Sequence, residues 1–355
     1  MLTDTKPPRV SAVIAARNEA AGIEASVRSL LMQEGIDLEV IVVDDGSIDG
    51  TPVILTRLAA EAGGKLLHLT NNKLPPGWVA KNYALELGQG RARGDWLLFS
   101  DADVVHGPRA IFNAVAAMER ERLDHLAVFP RMEAGSLIEA LVLPLFVLLY
   151  QFRFIDPRAA DPDSPTGIGI GAFNLVRADA YRLRGTHARI RGAMLDDRAL
   201  GLMMRDENGR GSVMRAVAQV RVRPYRSFAE LYEGVKKTVL ATFGNSAVLT
   251  AVMGIVLLVA ATAPALFVAL GLPLWLTGHP PWIALPGAVA VGFPFIALLK
   301  SRTMVRFEPL AALLFPIGAV VIATSALHAA FIFGTKGTVT WRGRQYTRRD
   351  FSDLG

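Results

Sequence analysis

Val40-Ile41-Val42-Val43-Asp44-Asp45-Gly46-Ser47 and Trp96-Leu97-Leu98-Phe99-Ser100-Asp101-Ala102-Asp103 share one plan: a short apolar run of β type leads straight into a cluster of carboxylates. Runs of that kind, closed by turn-forming residues, read as strands buried on both faces of a sheet. Ligands of open α/β sheets bind outside the carboxyl ends of parallel strands. Two carboxylate clusters in that position therefore predict one shared polar ligand, held with a metal ion.

The flanking residues extend the pattern. Val10 to Ala15 is a further strand, followed by Arg17-Asn18-Glu19 and a helical spacing through Ile23, Val27, Leu30 and Leu31. Thr51 to Ala62 reads as a helix entered through Asp49-Gly50-Thr51-Pro52, with proline suited to its first turn. Lys65 to Leu69 is a strand, Tyr83 to Gln89 a helix and Pro108 to Arg122 another. Strands alternating with helices of this length predict an α/β domain, a mostly parallel sheet between helices, over residues 1–236.

The remainder differs in composition. Thr238 to Leu299 and Pro309 to Thr335 contain no Asp, Glu, Lys or Arg. Uncharged stretches of that length predict transmembrane helices over residues 237–335, with spans near Val248 to Leu270, Trp282 to Leu299 and Leu310 to Phe333. Three spans place Lys300 to Arg306 on the cytosolic side and the basic tail, residues 336–355, outside. Two spans plus a re-entrant hairpin broken at Pro264 or Gly271-Leu272-Pro273 return the tail to the cytosol and put the Lys300 loop outside, so the positive-inside rule is met at one place only in either case. Leu137 to Leu149, broken by Glu139 and Pro144, is short for a span; residues 137–150 read as an interfacial or re-entrant helix, or as a buried core helix.

Met1 to Arg9 is polar and has no apolar signal core, which predicts that the first domain stays in the cytoplasm of a bacterial-type cell, at its inner membrane. The absence of cysteine excludes disulfides, thiolate nucleophiles and cysteine-held metals. A net charge of +6 invites a nucleic-acid reading. The basic residues gather instead near membrane-proximal segments (Arg177, Arg182, Arg184, Arg189, Arg191, Lys236, Lys237), which suits an anionic lipid surface and no nucleic acid.

Asp101 and Asp103 stand two apart, so an extended backbone sends both side chains to one face. Two hard oxygen donors there suit Mg2+ or Mn2+ bridging a diphosphate. Asp45 can accept from a ribose hydroxyl or a base N–H, whereas Asp49 reads as a turn and helix cap. Lys81 can set a point charge on a phosphate, or be a solvated lysine at a helix start. His106 and His187 have no partner at ligand spacing and read as surface or supporting groups.

Ala16-Arg17-Asn18-Glu19, Val43 to Thr51 and Ser100-Asp101-Ala102-Asp103 together resemble the successive signatures of glycosyltransferase family 2, over roughly residues 9 to 245. The resemblance implies the type A nucleotide-sugar-binding fold, a nucleotide diphosphate sugar donor (a UDP-sugar first) and inversion at the anomeric carbon. It implies that Glu19 and Asp45 contact the nucleoside, that Ala16 and Arg17 help to bind the donor, and that Asp101 serves the ribose or uracil edge and Asp103 the divalent metal with Asp101. Pro75-Pro76-Gly77-Trp78-Val79-Ala80-Lys81 is similar to a segment of membrane-bound members associated with hopanoid and carotenoid glycosylation, with Ala80 in place of the usual Gly. Asp196-Asp197 resembles the acidic pair that opens a helix in the family, and Asp197 is the expected base, helix capping being the other use of such a pair. Gly167 to Arg177 resembles the glycine-bearing acceptor-side strand, and Arg223 is expected to serve the diphosphate. The Gln-x-x-Arg-Trp motif of processive synthases is missing, which argues for adding one sugar or a few. The expected acceptor is a membrane lipid hydroxyl. A polyprenyl phosphate acceptor and a non-catalytic sugar-nucleotide-binding scaffold are the alternatives.

Overall fold

The computed structural model describes residues 6–154, 157–216, 218–278, 280, 298, 305–306, 314–341 and 344–347. The chain divides into two compact units, the first built on Met1–Arg131 and Ile155–Val222, the second on Met132–Phe154 and Arg223–Arg348.

From the amino end run β1 (Arg9–Ala16), α1 (Ile23–Leu31), β2 (Asp37–Asp44), α2 (Thr51–Glu61), β3 (Leu66–Thr70) and α3 (Ala80–Gln89). Next come β4 (Trp96–Asp101), β5 (Val104–His106), α4 (Ala110–Glu121), β6 (His125–Phe129), β7 (Arg131–Glu133) and α5 (Leu137–Phe154). β8 (Asn174–Arg177), α6 (Ala178–Leu183), α7 (Thr186–Arg189), α8 (Asp196–Met203), β9 (Gly211–Arg215) and β10 (Val220–Val222) complete the first unit. The second continues with α9 (Phe228–Thr242), α10 (Ala247–Leu276), β11 (Val305–Arg306), α11 (Phe315–Lys336) and the hairpin β12 (Thr338–Trp341) and β13 (Arg344–Thr347).

The first unit is built on a seven-stranded sheet ordered β3-β2-β1-β4-β8-β6-β9. β3, β2, β1 and β4 are parallel, and β8 runs antiparallel to both neighbours. Val13, Val40, Val42, Leu97 and Leu98 are fully buried, as strands covered on both faces require. The register decides where the chemistry falls. Ala16 lies opposite Asp44 and Ala15 opposite Asp101, so the two acidic clusters emerge at one level on either side of β1.

Three local details differ from the sequence expectations. α3 starts at Ala80, three residues before the predicted start, because the chain is extended only as far as Val79 and turns helical at once. Lys81 thereby falls in the first turn. Asp101 ends β4, and Ala102-Asp103 form a turn into β5 where the sequence reading had continuous strand. α5 continues through Pro144 for 18 residues. A mid-helix proline costs about 3 kcal/mol. The burial of Leu141, Val142, Leu143 and Val147 in an apolar cluster with Leu231, Val235 and Phe315 offsets that cost.

In the second unit, α11 has 22 residues, about 33 Å at 1.5 Å per residue, long and apolar enough to cross a bilayer. α9 with the first part of α10 passes the same test only jointly, across a 118° bend. The Val248 to Leu270 prediction falls inside α10, which has 30 residues, and Leu310 to Phe333 overlaps α11. Trp282 to Leu299 lies outside the described residues but for Leu298. α10 and α11 pack antiparallel: a Cβ on Gly254 would sit 2.9 Å from Leu327 Cγ, and one on Gly334 would sit 3.6 Å from Ala247 Cβ.

Candidate active site

The loops after β1 and β2 are tied together by short polar side chains. Asp44 Oδ1 accepts from the Ser47 N–H (3.1 Å) and hydroxyl, while Ser47 Oγ accepts from the Asn18 N–H (2.9 Å). Thr51 Oγ1 accepts from the Glu19 N–H (2.8 Å). Asp49 accepts from the N–H groups of Thr51 (3.0 Å) and Ala20 (3.1 Å). Burial pushes the Asp49 carboxyl up, but these hydrogen bonds outweigh it and hold it below the usual range. The frame presents Asp45, whose Oδ1 accepts from Asn71 Nδ2 at 2.9 Å and whose Oδ2 lies 3.8 Å from Arg17 Nη1. Arg17 also donates to the Asp45 and Gly46 carbonyls. Ala16, Arg17, Glu19 and Asp45 thus share one corner of the sheet edge.

The second corner is charged. The first turn of α3 aims Lys81 at the carboxyl edge, where Nζ donates to Asp101 Oδ1 at 2.7 Å and meets Asp196 Oδ2 at 2.9 Å. Burial would lower the Lys81 pKa, but Asp101, Asp196 and Asp197 outweigh it and push it well above the ordinary lysine value. Asp196 and Asp197 fill the first turn of α8, and neither is its N-cap; that position is Leu195, which makes no side-chain cap. Asp197 Oδ2 accepts from the Gly171 N–H at 3.0 Å and Oδ1 from the Arg198 N–H at 2.8 Å. Desolvation and the Asp196 charge raise the Asp197 pKa to about 6, Lys81 opposing them.

Lys81, Ser100, Gly171, Asn174, His187, Asp196 and Asp197 line one cavity. Its wall is a backbone-to-backbone contact. A Cβ on Gly169 would lie 1.7 Å from the Asp197 carbonyl oxygen, and one on Gly201 would lie 2.3 Å from the Ile168 carbonyl carbon, so glycine at both lets the 167–171 segment reach α8.

Among the described residues no cluster of three or more His, Cys, Asp or Glu is arranged to hold a metal. The turn at Ala102-Asp103 removes the extended-strand reason for placing Asp101 and Asp103 on one face, and what the two carboxylates keep is the donor chemistry of a hard divalent ion. Mg2+ takes one or two carboxylates and completes its shell with water and phosphate oxygens. One ammonium faces the three carboxylates of Asp101, Asp196 and Asp197 here, and a diphosphate enters such a site only with a compensating cation.

Of the two sequence readings, surface or supporting group, burial of His106 and His187 leaves the second. His106 Nε2 lies 3.4 Å from Ser100 Oγ, and His187 bonds to the Tyr181 hydroxyl and meets the Phe99 ring edge-on. Burial drops their pKa values to about 3 and about 4, so both stay neutral. Arg223 belongs to the second unit, where Nη2 donates to the buried Glu139 Oε1 at 3.2 Å.

Sequence inspection missed three polar residues. Asn82 places Nδ2 within 2.9–3.2 Å of the carbonyls of Ile190, Arg191 and Ala193 and so anchors the loop leading to Asp196. Asn174 and His125 form a second buried pair. A polar residue on the apolar face of a helix or strand was the available signal.

The sequence model described as Glycosyl transferase family 2 matches residues 11–182. The succinoglycan biosynthesis protein ExoO of Rhizobium meliloti is 37% identical over 127 residues, 35% of this chain and 34% of that protein. The 4,4'-diaponeurosporenoate glycosyltransferase of Staphylococcus haemolyticus is 34% identical over 114 residues, 31% of this chain and 29% of that protein. The matches thus span about a third of these curated relatives. Among solved structures, the mannosyltransferase PcManGT of Pyrobaculum calidifontis, in complex with GDP-Man and Mn2+, shares the fold, with a TM-score of 0.53 and 18% identity over 94% of this chain and 88% of that one.

Proposed function

Residues 11–182 match the model of glycosyl transferase family 2, and from that premise we propose that the protein is an inverting glycosyltransferase that moves a sugar from a nucleotide diphosphate donor to a hydroxyl of a membrane lipid. The observation that carries the proposal is that Lys81, Asp196 and Asp197 line one cavity at the carboxyl edge, where Lys81 also pairs with Asp101, one strand away from the Arg17–Asp45 corner. Asp45 and Arg17 hold the nucleoside, with a UDP-sugar as the first donor to test. Asp101 and Asp103 are the ligands for Mg2+ or Mn2+, which when bound neutralises charge on the leaving diphosphate. Lys81 adds a positive charge beside Asp101. Asp197 takes the proton of the acceptor hydroxyl as its oxygen attacks the anomeric carbon from the side opposite the diphosphate. A carboxylate with a pKa near 6 is ionised at neutral pH and holds a proton better than an ordinary aspartate, the compromise a general base needs.

A lipid acceptor is supported by the second unit. Val248, Leu249, Val252, Ile255, Val256 and Val259 are each more than half exposed and recur at helical spacing along α10. Such a stripe is at home against acyl chains. The name of the staphylococcal relative contains a carotenoid carboxylate, which shares the apolar body of such a lipid but not its hydroxyl. α9, with 15 residues and four charges, is too short and polar to cross. The start of α10 and the end of α11 therefore lie on the side from which the chain enters, and the basic tail returns to the cytoplasmic, catalytic side of the inner membrane. This satisfies the positive-inside rule for the tail. The protein has no cysteine, so single cysteines at Ser246 and Gln345 can be probed with an impermeant maleimide in spheroplasts. Both should be protected until the membrane is opened. Labelling of Gln345→Cys from outside would overturn the topology.

Asp197→Asn tests the acceptor class. A hydroxyl acceptor predicts near-complete loss of transfer with UDP binding retained. Substantial remaining turnover points to a phosphate acceptor, which needs no base.

A further inference from the structure

Asn174 lies at the start of β8, is 2% exposed and lines the cavity without touching Asp101, Lys81 or either member of the Asp196-Asp197 pair through any described hydrogen bond of its side chain. Its carboxamide is committed elsewhere. Oδ1 accepts from the Ile170 N–H at 3.1 Å, and Nδ2 donates to the Ile170 carbonyl at 2.7 Å. Both backbone groups of one residue are held by one planar side chain, which neither an aspartate nor a hydroxyl residue of that size can do with the same pair of bonds. The Ile170 carbonyl also accepts from the Phe173 N–H at 2.8 Å, closing a tight turn.

The next peptide is the one that matters. The Gly171 N–H donates to Asp197 Oδ2 at 3.0 Å, and the Gly171 carbonyl accepts from the Asp101 N–H at 3.0 Å. A Cβ on Gly171 would stand 2.6 Å from Asp101 Oδ2. One residue therefore registers the expected base against the strand end that carries the metal-binding carboxylate, and Asn174 fixes that residue by clamping its neighbour.

His125 fixes the amide in turn. Its Nε2 lies 3.1 Å from Asn174 Oδ1, and His125 is 1% exposed. Because Oδ1 accepts from a backbone N–H, it is an oxygen, so Nε2 of His125 must carry the proton. Burial holds this imidazole neutral, its pKa lowered to about 4. His125, on β6, and Asn174, on β8, pair across adjacent strands, with Ala127 opposite Asn174.

We propose that Asn174, oriented by His125, is a positioning residue for Asp197, acting through the Ile170–Gly171 peptide. This rests on the assignment of Asp197 as base, and it goes beyond that assignment in naming what aims the carboxylate. Loss of the clamp frees Gly171 to turn its N–H away from Oδ2. The ionised carboxylate then loses a donor, and its proton affinity rises.

The test is steady-state kinetics with a turned-over sugar nucleotide and lipid extract, for Asn174→Leu, His125→Leu, His125→Gln and Asp197→Asn, with UDP affinity and thermal unfolding measured on each. Asn174→Leu should lower kcat by about 10- to 100-fold, the size expected when a base is misaligned but present. It should also move the acidic limb of kcat to higher pH while UDP affinity changes by less than about threefold, the kcat-against-binding separation of a transition-state effect. His125→Leu should show a smaller loss of the same kind, and His125→Gln, which keeps an N–H donor, should recover most of it. If Asp197→Asn abolishes transfer while Asn174→Leu, stably folded, leaves kcat and its acidic limb unchanged, the positioning role is wrong and the base assignment stands. If Asn174→Leu acts only through UDP affinity, the clamp serves the donor and the proposal fails. If Asp197→Asn itself turns over normally, the base assignment fails, and the clamp proposal falls with it.

Discussion

Two pairs of adjacent aspartates, Asp44-Asp45 and Asp196-Asp197, look alike in sequence and are solved in opposite ways by the fold. In the first, Asp44 is 1% exposed and spends its carboxylate on the Ser47 N–H and hydroxyl, while Asp45 is held by Asn71 and faces Arg17. In the second, Asp196 shares Lys81 with Asp101, and Asp197 is left with two backbone N–H groups against desolvation and a like charge next door. Asp45, beside a guanidinium, is an anionic contact suited to binding. Asp197 has as many donors as Asp44, and burial with the neighbouring Asp196 charge makes it a carboxylate that takes up protons near pH 6, which suits a base.

The contrast is sharpest in turnover. Asp197→Asn should cut kcat by about a thousandfold, within the range for removing a general base, with UDP affinity nearly unchanged. In the parent protein the acidic limb of kcat/KM should fall near pH 6, because Asp197 must be ionised to work and its pKa is raised to about 6. A limb near pH 4 would contradict the raised Asp197 pKa.

Lys81 is the cation that keeps the second pair from being still less acidic. Lys81→Met should lower kcat by about 10- to 100-fold and shift the acidic limb upward, since the ammonium lowers the Asp197 pKa. An unchanged limb would show that Lys81 works on the donor alone. Asp45→Asn probes the other pair. It keeps an acceptor for Asn71 but loses the charge beside Arg17, so UDP should bind about tenfold more weakly, roughly 1.4 kcal/mol, with kcat and its limb intact.

Stability gives the smallest signal. The folded protein keeps a proton on Asp197 up to about pH 6, whereas the unfolded chain has released it by about pH 4. Between those values the native state binds the extra proton, so stability falls as pH rises, and the cost stays above pH 6. Asp197→Asn removes it, and at pH 8 the variant should unfold later by about 1 kcal/mol, a figure reduced for the solvent that reaches this partly buried group, with no difference at pH 3.5. Equal stabilities at both pH values would contradict the strained environment assigned to Asp197.

The parts of this arrangement that are local were legible in the chain. Val40 to Val43 and Trp96 to Phe99 declare buried strands by composition, and the carboxylates that follow must then lie at one edge of a parallel sheet. Lys81 was visible as a cation after a Pro-Pro-Gly turn, although its helix starts earlier than helical spacing suggested, because Ala80 to Asn82 carry no apolar periodicity. What stayed hidden depends on long-range packing. The Asn174–His125 bond joins residues 49 positions apart, and Lys81 reaches Asp196 across the whole middle of the domain. The histidines stayed open between surface and supporting positions because single polar residues carry no burial signal; His106 and His187 are covered by Phe173, Phe99 and Tyr181, none of them adjacent in sequence. α5 looked short because Pro144 is a breaker locally, and only the apolar cluster around it shows why the helix persists.

The most direct test of the account is release of nucleotide diphosphate by the detergent-solubilised protein, with Mg2+ or Mn2+, across a panel of sugar nucleotides, with and without native lipid extract. Release from one donor should require both lipid and divalent ion and be lost in Asp103→Ala and in Asp197→Asn. Tight UDP binding with no lipid-dependent release from any donor would contradict it and leave a sugar-nucleotide-binding protein without transferase activity.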